Sequence, residues 1–305
     1  MRPIDTRTRE WKIKHHIGSL IRKICSASRG RLSDSSHYKN GIEAHIVTRD
    51  DFWLLESVVS TSKYISNYIV VDSSNDFFSK YNRALLEHYA PGKYTYIKED
   101  VDQKTARQIA HKISTYEYIM HLDGDMVAVD RGWNSAEDLF KRLKGLPTIK
   151  YYDIYFPLLF IGDDLTKIQK VIYGYEDWIY SNTSDFRWSN AKLDLPRIPL
   201  YYRKLLWDKP YFVHLNHIVD EEKYFKKLTT VMWQRDEVRQ KFGNFQNFLQ
   251  SIKESNTFSA ADMQYFEYRE EYGMIPSLLD RFANLSRQEI ISVKKKEISG
   301  LIMPY

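Results

Sequence analysis

Tyr118-Ile119-Met120-His121-Leu122-Asp123-Gly124-Asp125 is an apolar run that stops abruptly at two acids. So hydrophobic a strand belongs in the middle of a sheet, and its C-terminal end opens onto the crevice where α/β proteins bind ligands. Two carboxylates one residue apart at that edge are costly neighbours unless a cation neutralises them. Hard oxygen donors of this kind suit Mg²⁺ or Mn²⁺, which keep positions open for substrate phosphates. Gly124 between the acids permits a sharp turn and the close approach of a ligand. The acid-Gly-acid ending reads as a metal–diphosphate site; the plainer alternative is an Asp-Gly turn closing a hairpin.

Working outward, strands and helices alternate. Ile42–Thr48 is predicted as a strand. A helix follows to about Lys63, capped by Asp50 or Asp51, with Phe52, Leu55, Val58 and Val59 facing inward. Asn67–Val71 is a second strand closed by Asp72-Ser73-Ser74. Further helices are expected at 76–89 and 103–115, with a strand at Lys93–Ile97 between them and Tyr116–Leu122 as the fourth strand. This order predicts a mainly parallel sheet with right-handed crossovers. Beyond 130 a helix is expected at Ser135–Leu143 and one strand over Tyr152–Ile161. Residues 220–295 read as mostly helical, with Trp233 and a packing stripe of Phe242, Phe245, Phe248 and Leu249. No internal repeat of about 20–50 residues is present.

The 305 residues are 43% hydrophobic, enough for a sizeable core, and 15% aromatic with 23 Tyr, residues that serve sugar and base recognition as well as packing. The single cysteine, Cys25, excludes an internal disulfide framework and a cysteine-based zinc site, and suggests a cytoplasmic protein. No apolar run reaches the ~18 residues of a spanning helix, and residues 1–30 show no secretory signal pattern. Residues 1–40 hold ten Lys/Arg against three acids, a net +7 that leaves −2 for the remainder, so the body has no basic stripe for nucleic acid. Within this arm Ile13, Ile17, Leu20, Ile21 and Ile24 share one helical face. A basic amphipathic helix of this kind is expected either to lie on an anionic membrane surface, peripheral on the inner face, or to pack on its own domain or a partner subunit. Ser26–Ser36 reads as a linker.

Four clusters converge on one sheet edge in this scheme: Thr48-Arg49-Asp50, Asp72-Ser73-Ser74, the Lys104/Arg107 face of the third helix, and Asp123-Gly124-Asp125. In their order and spacing the chain resembles the family-2 type of nucleotide-sugar glycosyltransferases, which have the GT-A fold, over roughly residues 42–220. The resemblance implies a Rossmann-like, mainly parallel sheet flanked by helices, preceded by the basic arm (1–40) and followed by a helical C-terminal extension (221–305). It implies that Thr48, Asp50 and Asp72 line the nucleotide pocket, that Lys104 and Arg107 contact the nucleotide or its phosphates, that Asp123 touches the ribose or donor sugar and shares in the metal site, and that Asp125 holds Mn²⁺ or Mg²⁺. The family usually has two acids or Asp-Gly after the second strand; here it is Asp-Ser-Ser.

Two later clusters complete the implied machinery. Tyr173-Gly174-Tyr175-Glu176-Asp177-Trp178 resembles the family's Glu-Asp motif, which makes Asp177, with Glu176 second, the general base, and lets Trp178 and Tyr175 stack on a sugar face. The alternative is a surface helix start. Val213-His214-Leu215-Asn216-His217 resembles the late histidine motif that completes metal coordination, with His214 as ligand and His217 as the alternative. The implied activity is metal-dependent, inverting transfer from a nucleotide-diphosphate sugar, UDP before GDP, to a hydroxyl of a glycan or glycolipid. A CMP donor, with its monophosphate leaving group, gives the two acids no diphosphate work. The alternatives are a sugar nucleotidyltransferase, a carbohydrate-binding scaffold without activity, and a retaining transferase, since fold does not fix stereochemistry. The nucleotidyltransferase is disfavoured because Thr48-Arg49-Asp50-Asp51-Phe52 lacks the glycine-rich loop such enzymes carry after the first strand.

Overall fold

In order along the chain, this computed structural model describes residues 9–28, 37–161, 165, 167–169, 176–185, 187–188, 196–215, 218–230, 235–255, 265–267 and 276–302. The elements are α1 (Arg9–Ser28), β1 (Lys39–Thr48), α2 (Leu54–Thr61), β2 (Asn67–Asp72), α3 (Asp76–Tyr89), β3 (Tyr94–Lys98), α4 (Gln103–Ile113), β4 (Tyr116–His121), β5 (Met126–Ala128) and α5 (Ala136–Lys144). Then come β6 (Tyr152–Phe156), β7 (Leu159–Phe160), β8 (Lys167–Gln169), β9 (Glu176–Ser181), β10 (Arg187–Trp188), β11 (Pro196–Arg197), β12 (Arg203–Leu206) and β13 (Phe212–His214). The chain continues through α6 (Glu221–Thr230), α7 (Arg235–Phe242), α8 (Phe245–Ser255), β14 (Tyr265–Glu267), a 3₁₀ segment (Ser277–Phe282) and α9 (Arg287–Ile302).

Seven strands form the central sheet in the order β12-β6-β9-β4-β1-β2-β3, all parallel except β9, which runs against both neighbours. This mostly parallel, helix-flanked sheet is the α/β class expected, and it is consistent with a Rossmann-like GT-A fold. The chain lays down β1, β2 and β3 outward in one direction and then returns to place β4 on the other side of β1. The loops after β1 and β4 therefore part company, leaving the crevice at which doubly wound sheets bind ligands.

Pleat alternation gives the sheet two unlike faces. Ala44, Ile46, Tyr68, Val70, Met120, Ile154 and Phe156 point into the main core, which Leu54, Leu85, Phe140, Phe248, Phe282 and Ile290 complete from the helices. The C-terminal helices thus share one core with the sheet. The other face pairs a small cluster of Ile69 and Val71 with Ala106 and Ala110 of α4, and places His45, His121 and Asp153 in the buried interior.

Several sequence expectations need correction. The run Tyr152–Ile161 is two strands in different sheets, because Pro157 lacks the N–H that would carry the ladder onward. Neither Asp50 nor Asp51 caps α2: the cap position is Trp53, without a side-chain cap. Phe52 and Val58 are buried and Leu55 packs against the core as expected, but Leu54 rather than Val59 completes the buried apolar face, and α2 also buries Glu56 completely, with Lys294 Nζ at 2.8 Å. Ser26–Ser28 belong to α1, and Ser26 is buried. Trp233 lies outside the described residues.

Candidate active site

β4 delivers the two acids to the sheet edge, and a second, three-stranded sheet closes over them. In it β13 pairs antiparallel with β5, setting His214 opposite Met126, and the Leu215 N–H donates to the Asp125 carbonyl at 2.9 Å. Residues 89 positions apart are thereby brought together: His214 Nε2 lies 2.8 Å from Asp125 Oδ1. Asp123, Asp125 and His214 each offer one donor atom within 4.8 Å of the others, a group that could hold a metal ion. Two carboxylates and an imidazole form a mixed O/N donor set of the kind that holds a divalent cation. Asp125 is buried, whereas the Asp123 side chain is 27% exposed and open to a ligand.

The turn is held from three sides. Arg107 of α4, itself buried, donates from Nη2 to Asp123 Oδ1 at 2.8 Å. Ser57 Oγ of α2 donates to the Asp123 carbonyl at 3.1 Å. Gly124 packs against Asp51: a Cβ there would sit 2.7 Å from Asp51 Oδ2 and 3.2 Å from its Cβ, so a larger residue would push the Asp51 side chain aside. Asp51 Oδ2 in turn accepts from Thr48 Oγ1 at 2.9 Å.

Asp50 adopts φ 55°, a left-handed conformation tolerated by short polar residues that bond locally. Its N–H donates to Ser74 Oγ at 2.7 Å and its Oδ1 accepts from the Asn75 N–H at 2.8 Å, tying the β1 loop to the β2 loop. Asp72 is fully buried. Its carboxylate accepts from the Ser74 N–H, from Asn82 Nδ2 and from the Tyr96 hydroxyl, so it holds this loop in shape. Lys104 stands half-buried on α4, one turn before Arg107.

Asp177 lies at the start of β9. Because β9 is the reversed strand, its start comes to the same edge at which the parallel strands end. Its register partner is Tyr155 of β6, while Asp153 is the partner of Lys204 on β12. Asp153, Tyr155, Asp177 and Lys204 therefore share the polar face, with Arg22 of α1 nearby. Burial pushes the Asp177 carboxyl up to about 6, against Lys204, Arg107 and Arg22. Burial, and then the Asp177 charge, push Asp153 well above the usual range. Neither Asp153 oxygen meets a donor at ordinary hydrogen-bond geometry. Burial, and then Arg107, push the His121 imidazole well down, so it stays neutral and bonds the Tyr180 hydroxyl at 3.0 Å.

Trp178 does not stack in the crevice. Next to Asp177 on the strand, it turns into the main core and donates from Nε1 to the Phe156 carbonyl at 3.0 Å. Tyr175 and His217 lie outside the described residues, as does the side chain of Glu176. The sequence reading missed Asp51 and Ser57, which support the acid turn, and Asp153 and Lys204, which surround Asp177. A buried acid within Tyr152-Asp153-Ile154-Tyr155-Phe156 was the available signal, since a lone acid in an apolar strand needs a reason.

No family model and no curated protein matches this chain. Among solved structures, the chain is similar to TarS of S. aureus at 12% identity and a TM-score of 0.38, over 73% of this chain and 46% of that one. It is also similar to the inositol-1-phosphate CTP transferase of T. maritima, at 8% identity and a TM-score of 0.35, over 58% of this chain and 90% of that one. The chain thus spans about half the length of TarS. At these TM-scores the fold assignment rests on strand order, and function rests on the site.

Proposed function

We propose that the chain is a metal-dependent, inverting glycosyltransferase that moves a sugar from a nucleotide-diphosphate donor, a UDP-sugar first, to a hydroxyl of a glycan or glycolipid. The observation that carries this reading is the convergence of Asp123, Asp125 and His214 at the crevice between β1 and β4. These three residues would hold Mn²⁺ or Mg²⁺. A divalent ion bound there neutralises charge that develops on a departing diphosphate.

The chain's own groups supply the rest. Arg107 fixes the Asp123 carboxylate and adds positive charge beside it. Thr48, Asp50, Asp72 and Lys104 border the donor pocket, the first three chiefly by shaping its loops. Asp177 accepts the proton of the acceptor hydroxyl as that oxygen bonds to the anomeric carbon and the bond to the diphosphate breaks. Its raised proton affinity suits it to take that proton near neutral pH. Glu176 is the second choice for this role.

Thermal-shift measurements with UDP-, GDP-, CMP- and dTDP-sugars, with and without Mn²⁺, test the proposal. A metal-dependent rise in Tm with one nucleotide class, absent in Asp125→Asn, is the expected result. No shift with any donor in folded protein would instead favour a binding scaffold that has lost catalysis.

A further inference from the structure

Helix α1 docks on the body with its polar side. Arg22 donates to the carbonyls of Pro199, at 2.8 Å, and Ile198. Ser26 is buried, its carbonyl accepts from Lys150 Nζ at 2.7 Å, and its hydroxyl accepts from Arg203 Nε. At 100° per residue, Arg22 and Ser26 lie on the side opposite Ile13, Ile17, Leu20, Ile21 and Ile24. Those five side chains are 50%, 54%, 60%, 46% and 67% exposed. A helix that merely covered the sheet edge would bury this stripe and expose its polar side, so the orientation is inverted from the ordinary amphipathic rule.

We propose that this outward stripe seats the protein on an anionic membrane surface, with α1 lying in the plane of the headgroups. Charge complementarity selects this occupant. Residues 1–40 carry a net +7 against −2 for the remainder, and Lys23 is exposed beside the stripe. A second copy on the same face would set two such segments against each other, like charge on like. No helix among the described residues is long and apolar enough to cross a membrane, so the helix lies on the surface. The docked contacts through Arg22 and Ser26 would hold the β12 edge of the sheet against the bilayer.

The test is co-sedimentation of the full chain with vesicles of phosphatidylcholine alone and of phosphatidylcholine with phosphatidylglycerol. Binding to the anionic vesicles only, weakened by salt, is expected, and the double variant Ile17→Asp/Leu20→Asp should bind at least about tenfold more weakly. Ile24→Ser, at the most exposed of the five positions, should change binding in the same direction without disturbing the fold. Equal binding by wild type and variants overturns the proposal, as does failure to bind anionic vesicles. A dimer in sedimentation equilibrium that the double variant abolishes, with no vesicle binding, would assign the stripe to self-association instead.

Discussion

The molecule carries two pairs of acids, one at the loop after β4 and one on the polar face of the sheet, and treats them in opposite ways. Asp123 and Asp125 stand at a loop, and each has a basic partner at 2.8 Å, Arg107 for one and His214 for the other. Asp153 and Asp177 stand on strands of the polar sheet face, among Lys204, Tyr155 and Arg22, and burial leaves both with raised proton affinity. The same side chain is thus paired with a base in one place and left with a raised proton affinity in the other. Asp125 is as buried as Asp177, so the difference lies in the close countercharge: a carboxylate removed from water without it binds its proton more tightly.

The sharpest way to break this contrast is Asp177→Asn. If Asp177 is the base, kcat falls by about 10²–10⁴. Because the variant also removes a desolvated charge, Tm near neutral pH should rise rather than fall. A variant that loses both activity and stability would assign Asp177 a structural role. Next, Asp125→Asn should lower activity by about 10²–10³ through lost stabilisation of developing charge. Calorimetric titration should show Mn²⁺ binding lost with it, and retained Mn²⁺ affinity would remove Asp125 from the ligand set.

Arg107→Gln should cost about tenfold, since one charge-assisted hydrogen bond is lost while the ligands remain. The loss should appear as a raised apparent metal requirement more than as a lowered kcat; a pure kcat effect would place Arg107 on the reacting atoms. The smallest expected effect is on stability with pH. Asp153 and Asp177 both have folded-state proton affinities above their unfolded values, so the folded protein binds protons more tightly. Their contribution to stability is present below the ordinary carboxylate range and is lost as pH rises through about 6 for Asp177. Denaturant midpoints should therefore shift upward between pH 7 and pH 5 relative to Asp153→Asn/Asp177→Asn. Identical pH profiles for the two proteins would show that burial does not perturb the pair. Activity should fall over the same interval, as the base takes up its proton.

Much of the half that carries the first pair was legible beforehand. β2 and β4 are apolar runs ended by acids, and α3 and α5 begin at Asn75 and Ser135, whose side chains accept from the first-turn N–H groups. Local chemistry marks such boundaries because each is set by a neighbour within four residues. The other half was harder. Pro157 moved half of a predicted strand into another sheet, and Trp178 went to the core although it adjoins a crevice acid. At a strand start a shift of one residue exchanges faces, and no periodicity in Tyr173–Trp178 fixes that choice.

The sequence by itself determined the parallel α/β plan and the place where two acids end a buried strand, because strand periodicity, caps and glycine act over a few residues. It also determined the apolar stripe on α1. Only the tertiary structure decided that His214 meets Asp125 across 89 positions, that Asp153 and Lys204 surround Asp177, and that the stripe on α1 points outward. Those outcomes depend on strand order, register and docking, which are settled by how whole elements share one core.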